Sequence, residues 1–170
     1  DGNFDEYAYV SATDATSFSA FVNLNRNAFY NFNDSSKAVS TESAEEQART
    51  NQAVQNVHFR RALAMSFDRG QYNAVTYGED LKYNALRNSY TPGNFVSLSK
   101  DVTVSINGED VTFPAGTNYG EIVQAQIDAD GVKVTVFDKD STNEQQSDGF
   151  DGWYNVGNAR EEMAQAIDEL

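Results

Sequence analysis

Cysteine is absent from the 170 residues, which excludes a disulfide framework, a thiol nucleophile and a thiolate metal site. Histidine occurs once, as His58, and no GxSxG-type nucleophile turn accompanies it, so a Ser-His-Asp triad has little to be built from. A single histidine near the start of a capped helix reads instead as a surface or packing residue. The phosphate-cradling patterns GxGxxG and GxxxxGK followed by Ser or Thr are missing too. No apolar run approaches the roughly 18–20 residues that a membrane span needs. No charged-then-apolar leader stands at the beginning, where the chain opens on DGNFDEY, and it stops inside a helical pattern at Asp168-Glu169-Leu170. Those features suggest a piece of a longer protein.

Positive charge is also scarce. Twelve basic residues against 26 acidic ones give a formal charge of -14, which opposes neutralisation of phosphates and so disfavours nucleic acid or an anionic membrane surface as a partner. The ordinary reading of that charge is solubility. With 39% hydrophobic residues and a mean hydropathy of -0.60, the chain is polar but long enough for about one domain with a real core.

Carboxylates are plentiful, so residue count alone leaves room for a secreted acidic hydrolase or carbohydrate-active domain using paired carboxylates, though nothing singles out a pair. The most metal-like run is Asp138-Lys139-Asp140-Ser141-Thr142-Asn143-Glu144. A calcium loop wants Gly at its sixth position and Glu at its twelfth, and here those are Asn143 and Gly149. It reads as a solvated acidic loop, and no metal or cofactor is expected. Aromatic residues make up 12% of the chain, enough to line a ligand groove or to serve as ordinary core.

The chain is organised around residues 56–72. Phe59, Ala62, Leu63, Ser66 and Phe67 recur at i, i+3, i+4, i+7 and i+8, which predicts a helix with those residues in its buried stripe and Arg60, Arg61 and Arg69 outside or beside it. Asn56 is the predicted cap. Asp68, with Gln71 three residues on, has capping-box spacing and predicts a second helix meeting the first at a corner and stopping at Gly78. Before this stretch, aromatics over 18–24 predict a strand. The polar connector 34–55 holds a short helix over 42–54, capped by Ser40 or Thr41. After it, Pro92-Gly93 breaks the pattern. Val102, Val104 and Ile106, then Val111 and Phe113, alternate around Asn107-Gly108 and predict a β-hairpin. A helix over 117–127 follows, then a strand carrying Val132, Val134 and Val136. After a polar loop, Asn155 caps a last helix with Ala159, Met163, Ala166, Ile167 and Leu170 on one face. These helical stripes oppose a third possibility, an adhesion-type sheet sandwich.

Four stretches taken together carry a resemblance: Phe21-Val22-Asn23-Leu24-Asn25-Arg26 with Phe29; Phe59-Arg60-Arg61-Ala62-Leu63-Ala64-Met65-Ser66-Phe67-Asp68-Arg69; Leu86-Arg87-Asn88 followed by Pro92 and Phe95-Val96; and Asp151-Gly152-Trp153-Tyr154-Asn155 with Ala159. In order and approximate spacing the chain resembles the AmiA/AliA-type oligopeptide-binding lipoproteins of Gram-positive bacteria, family 5 extracellular solute-binding proteins that serve ABC importers. It departs from them in having Gly93 after Pro92 where two prolines are common and Val156 where a Pro is common. The hairpin over 102–113 looks like an insertion.

The resemblance implies an α/β chain: a fragment of a type II periplasmic-binding-protein-like, two-lobed fold, with mixed helices and short strands and an inserted β-hairpin. It implies an interior portion, roughly a quarter to a third of a receptor, with residues 1–88 ending the first lobe and 89–170 beginning the second. Short peptides would bind between the lobes without catalysis, and ABC transporter permease subunits would be partners. The full protein would be an extracellular lipoprotein on the cytoplasmic membrane, reaching it only through a lipid anchor outside this chain. Candidate peptide-binding residues are Asn23 and Asn25, whose amides can pair with peptide backbone, and Tyr90, Thr91 and Pro92 at the interlobe crossing. The alternative for each is a strand-end or turn residue. The carboxylate that grips the peptide amine would lie beyond Leu170, and Asp68 and Arg69 are read as structural, a cap and a surface charge.

Overall fold

The structure, a computed structural model, describes residues 19–24, 30–31, 34–38, 42–84, 86–141 and 149–170. In chain order its elements are β1 (Tyr30–Asn31), β2 (Asp34–Ala38), α1 (Ala44–Gln55), α2 (Val57–Ser66), α3 (Arg69–Tyr77), a 3-10 turn (Glu79–Leu81), β3 (Val102–Ile106), β4 (Glu109–Phe113), α4 (Tyr119–Ala129) and α5 (Val156–Glu169). It is a mixed assembly of helices and short strands, in which the described strands form two antiparallel pairs, β1–β2 and β3–β4. The chain divides into a flanking unit, Ala20–Phe67 with Asn155–Leu170, and a central unit that contains Asp68–Tyr154. It passes between them at Phe67/Asp68 and again at Tyr154/Asn155.

In the flanking unit each helix starts on a side chain chosen by local chemistry. Ser43 caps α1, its hydroxyl accepting the Glu46 N–H at 3.2 Å while its own N–H donates to the Glu46 carboxylate at 2.8 Å. That pairing with the Ser43 backbone and hydroxyl holds the Glu46 carboxyl below its usual range. The cap lies two residues beyond the predicted Thr41, because only Ser43 has a Glu at the third helical position. Asn56 caps α2 through the Phe59 N–H at 2.9 Å, and Asn155 caps α5 through the Asn158 N–H at 3.0 Å. Arg60 Nη1 donates to the Val54 and Gln55 carbonyls at 2.8 and 2.7 Å, covering acceptors that the end of α1 leaves open.

Helix α2 packs on α5, and this corrects the predicted stripe. The fully buried residues of α2 are Ala62 and Met65, facing Ala159 and Ala166 of α5, whereas Leu63 and Phe67 are 45% and 52% exposed. Ile167 and Leu170, expected on the inner face of α5, are exposed as well. Ala62, Ala159 and Ala166 let the two backbones approach, and Met65 is the bulky apolar side chain buried with them. Polar groups lock the same face: His58 Nδ1 lies 2.6 Å from Glu162 Oε2, Asn56 Nδ2 donates to Glu169 Oε2 at 2.7 Å, and the Asn155 N–H donates to the Met65 carbonyl at 2.9 Å. The strand predicted over 18–24 does not form in the described residues 19–24, and β2 arises instead within the polar connector.

In the central unit Asp68 caps α3 by accepting the Gln71 N–H at 2.8 Å, and Gly78 ends it at a φ of 78° that a side chain would disfavour. The hairpin forms as predicted. β3 and β4 pair in register from Val102↔Phe113 to Ile106↔Glu109, and Asn107 and Gly108 both take positive φ, 51° and 87°, as a tight primed turn requires. Helix α4 follows, with the Glu121 carboxylate accepting the Asn118 N–H at 3.0 Å. The predicted strand after α4 is a correction: Val132, Val134 and Val136 are buried, but no ladder forms. Gln124 of α4 takes the place of a neighbouring strand, accepting the Val136 and Phe137 N–H groups at 2.7 and 3.2 Å and donating to the Val134 carbonyl at 3.1 Å. With Leu86, Ile106 and Phe137, the three valines make the apolar core of this unit. No helix among the described residues is long and apolar enough to cross a membrane.

Candidate functional site

Three of the four motif stretches meet at one hydrogen-bonded node in the central unit. Arg69, the first residue of α3, turns its guanidinium inward: Nη1 donates to the Arg87 carbonyl at 2.7 Å, Nη2 to Asn88 Oδ1 at 2.7 Å, and Nε to Asp151 Oδ1 at 3.1 Å. Nη2 also pairs with the same Asp151 oxygen. The Arg69 and Asp151 side chains are 23% and 7% exposed, so the expectation of a surface charge at Arg69 is corrected. The planar five-donor guanidinium meets several acceptors at once, which a lysine at this position cannot reproduce.

Asn88, only 3% exposed, uses its whole amide. Its Oδ1 accepts the Gly152 N–H at 2.9 Å along with Arg69, its Nδ2 donates to the Phe150 carbonyl at 3.0 Å, and its backbone carbonyl accepts the Trp153 indole N–H at 2.8 Å. Asp151 accepts the Trp153 and Tyr154 N–H groups at 3.1 Å each. Burial works to raise the Asp151 pKa, but the Arg69 hydrogen bond and charge, aided by the two backbone N–H groups, outweigh it and hold the carboxyl below its ordinary range. Gly152 fits only because it lacks a side chain: a Cβ there would lie 1.7 Å from the Thr135 carbonyl oxygen.

The node carries the segment that leads from Asn88 to α4. Ser89 Oγ donates to the Thr91 carbonyl at 2.6 Å, Pro92 is fully buried, and the Pro92 carbonyl accepts the Phe95 N–H at 3.1 Å. The Gly93 carbonyl accepts the Gly120 N–H at 2.8 Å, and a Cβ on Gly120 would meet the Phe137 ring at 2.2 Å. Tyr90, between these fixed points, is 69% exposed, and Thr91 is half-buried.

The sequence-derived candidates thus divide. Tyr90, Thr91 and Pro92 lie together on this pinned loop of the central unit. Asn23 is an exposed residue of the flanking unit, and Asn25 falls outside the described residues. Asn88 and Asp151 were not singled out by composition or periodicity. Their signal was membership of the Leu86-Arg87-Asn88 and Asp151-to-Asn155 stretches. Among the described residues no group of three or more His, Asp or Glu is placed to hold a metal ion.

No family model matches the chain. Among curated proteins, 145 residues (84% of the chain) are 31% identical to the oligopeptide-binding protein AliB of Streptococcus pneumoniae, covering 19% of that protein. Over 163 residues (96% of the chain) it is 28% identical to the oligopeptide-binding protein SarA of Streptococcus gordonii, covering 20% of it. Over 134 residues it is 28% identical to the oligopeptide-binding protein AliA of Streptococcus pneumoniae, covering 79% of the chain and 17% of the relative. The resemblance to AmiA/AliA-type oligopeptide-binding proteins therefore holds across most of the chain. The chain spans about a fifth of the length of these relatives, a smaller share than expected.

Proposed function

Taking the oligopeptide-binding proteins as relatives of this chain, we propose that it is an interior portion of the extracellular receptor of an ABC oligopeptide importer, one that binds short peptides between two lobes without catalysis. The similarity to AliB over 84% of the chain carries the reading. It gains support from the placement of three motif stretches in one buried node, where a shared sequence pattern has a physical reason to persist. The proposal includes a type II periplasmic-binding-protein-like fold, with residues 1–88 ending one lobe, 89–170 beginning the other, and the hairpin over 102–113 an insertion. It also includes permease subunits as partners and a lipid anchor outside this chain that tethers the receptor to the cytoplasmic membrane.

Within this reading Tyr90 and Thr91 face the peptide, Pro92, also a candidate contact but fully buried, shapes their loop, and Asn23 and Asn25 offer amides to peptide backbone. Calorimetric titration with mixed short peptides tests it. The full-length receptor is expected to bind at micromolar or tighter affinity, and residues 1–170 alone are not, because most of the clamp is missing. Micromolar binding by the 170 residues alone would overturn the fragment reading, and absence of binding by the full-length protein would overturn the receptor reading.

A further inference from the structure

We propose that Tyr90 is a specificity-determining contact that favours peptides carrying an aromatic or large apolar side chain, and that Arg69 and Asn88 are positioning residues holding it ready; this rests on the receptor reading above. The ring is largely exposed although the backbone on both sides of it is fixed. On one side Asn88 is held by Arg69, Gly152, Phe150 and Trp153. On the other, Ser89 Oγ ties down the Thr91 carbonyl, Pro92 is buried, and Gly93 is bonded to Gly120. A bulky aromatic side chain on so constrained a backbone has little main-chain entropy left to lose when a ligand docks. Its ring can stack on an apolar or aromatic side chain of the peptide.

Arg69 acts only through its neighbours. Its Nη1 bond to the Arg87 carbonyl and Nη2 bond to Asn88 Oδ1 fix the two residues from which the Tyr90 loop departs. Loosening them leaves Tyr90 in place but spreads it over more conformations.

The experiment is calorimetry on the full-length receptor with two peptides that differ only by Phe or Ala at one position, scanned along the peptide. The wild type is expected to prefer the Phe peptide at one position. Tyr90→Ala should weaken the Phe peptide about five- to tenfold more than it weakens the Ala peptide. Arg69→Lys should weaken the Phe peptide severalfold when Tyr90 is present and add nothing in the Tyr90→Ala background. Should Arg69→Lys fail to fold, Ser89→Ala, which removes only the bond to the Thr91 carbonyl, supplies the same comparison. Equal losses for both peptides, no loss in Tyr90→Ala, or additive losses in the double variants would overturn the proposal. A wild type that binds neither peptide would overturn the receptor reading itself.

Discussion

Arg69 and Asp151 stand 82 positions apart in sequence and meet in the central unit, Nε lying 3.1 Å from Oδ1 while Nη2 shares that oxygen. The other carboxylate oxygen accepts the Arg69 backbone N–H at 3.3 Å. One aspartate therefore receives both the side chain and the main chain at the start of α3, as well as the backbone of Trp153 and Tyr154. The pair closes the stretch between the two crossings of the chain into a loop, and Asn88 fills the interior of that closure.

Removing the charge of Asp151 should be costly, because its partner would stay half-buried with fewer acceptors. Asp151→Asn is expected to lower stability by about 2–3 kcal/mol near neutral pH, less than for a fully buried pair because Arg69 keeps some solvent contact. The pH dependence has a definite sign. The folded-state pKa lies below the ordinary value of 3.8, so the stabilisation is present above that value and is lost as pH falls from it through the lower folded value. Urea denaturation midpoints at a series of pH values should show the wild type and Asp151→Asn converging in acid. A gap that stays constant down to about pH 2 would contradict this account.

Two glycines should fail for different physical reasons. At Gly152 an added Cβ would overlap the Thr135 carbonyl oxygen, backbone that is itself bonded in place, since the Thr135 N–H donates to the Gly152 carbonyl at 3.1 Å. Gly152→Ala is expected to cost about 3 kcal/mol or more, at the upper end of overpacking penalties. At Gly108 the space is open, and only the φ of 87° penalises a side chain, so Gly108→Ala should cost about 1 kcal/mol. Thermal unfolding of the two variants side by side checks the ranking, and near-equal losses would show that the chain relaxes around Gly152.

Local chemistry was legible in the sequence and long-range geometry was not. Asn56, Asp68 and Asn155 announce helix starts because a cap acts within three residues, and Asn107-Gly108 announces a hairpin because positive φ is intrinsic to the turn. The inner face of α2 keeps Ala62 of the periodic stripe but adds Met65 and leaves Leu63 and Phe67 exposed, because the packing of α5, not periodicity, decides which neighbouring positions are covered. The extended run through Val132, Val134 and Val136 has the alternation of a strand, but Gln124, 10 to 13 positions from the groups it bonds, takes up backbone bonds at Val134, Val136 and Phe137. The node could not be read from residue patterns, since Arg69 joins partners 18, 19 and 82 positions distant. The family pattern marked those residues without giving the reason, which is the shared set of acceptors around one guanidinium.

Asn56 does two jobs that a substitution can separate. Its Oδ1 caps α2, and its Nδ2 donates to Glu169 at the end of α5. Asparagine, aspartate and serine cap almost equally well, so Asn56→Asp and Asn56→Ser should be nearly neutral if capping were all that mattered. Aspartate, however, would set a second carboxylate where Nδ2 now lies 2.7 Å from Glu169 Oε2. His58 Nε2, 3.6 Å from the other Glu169 oxygen, would relieve that repulsion only when protonated. Asn56→Asp is therefore expected to cost about 1–2 kcal/mol at pH 7, against about 0.5 kcal/mol for Asn56→Ser, which loses one exposed hydrogen bond. The excess penalty of the aspartate should shrink in high salt, which screens the repulsion between the two carboxylates. Thermal unfolding of the two variants at low and high salt distinguishes the outcomes, and an aspartate as stable as the serine at low salt would remove the Asn56–Glu169 contact from the account of how α2 and α5 are held.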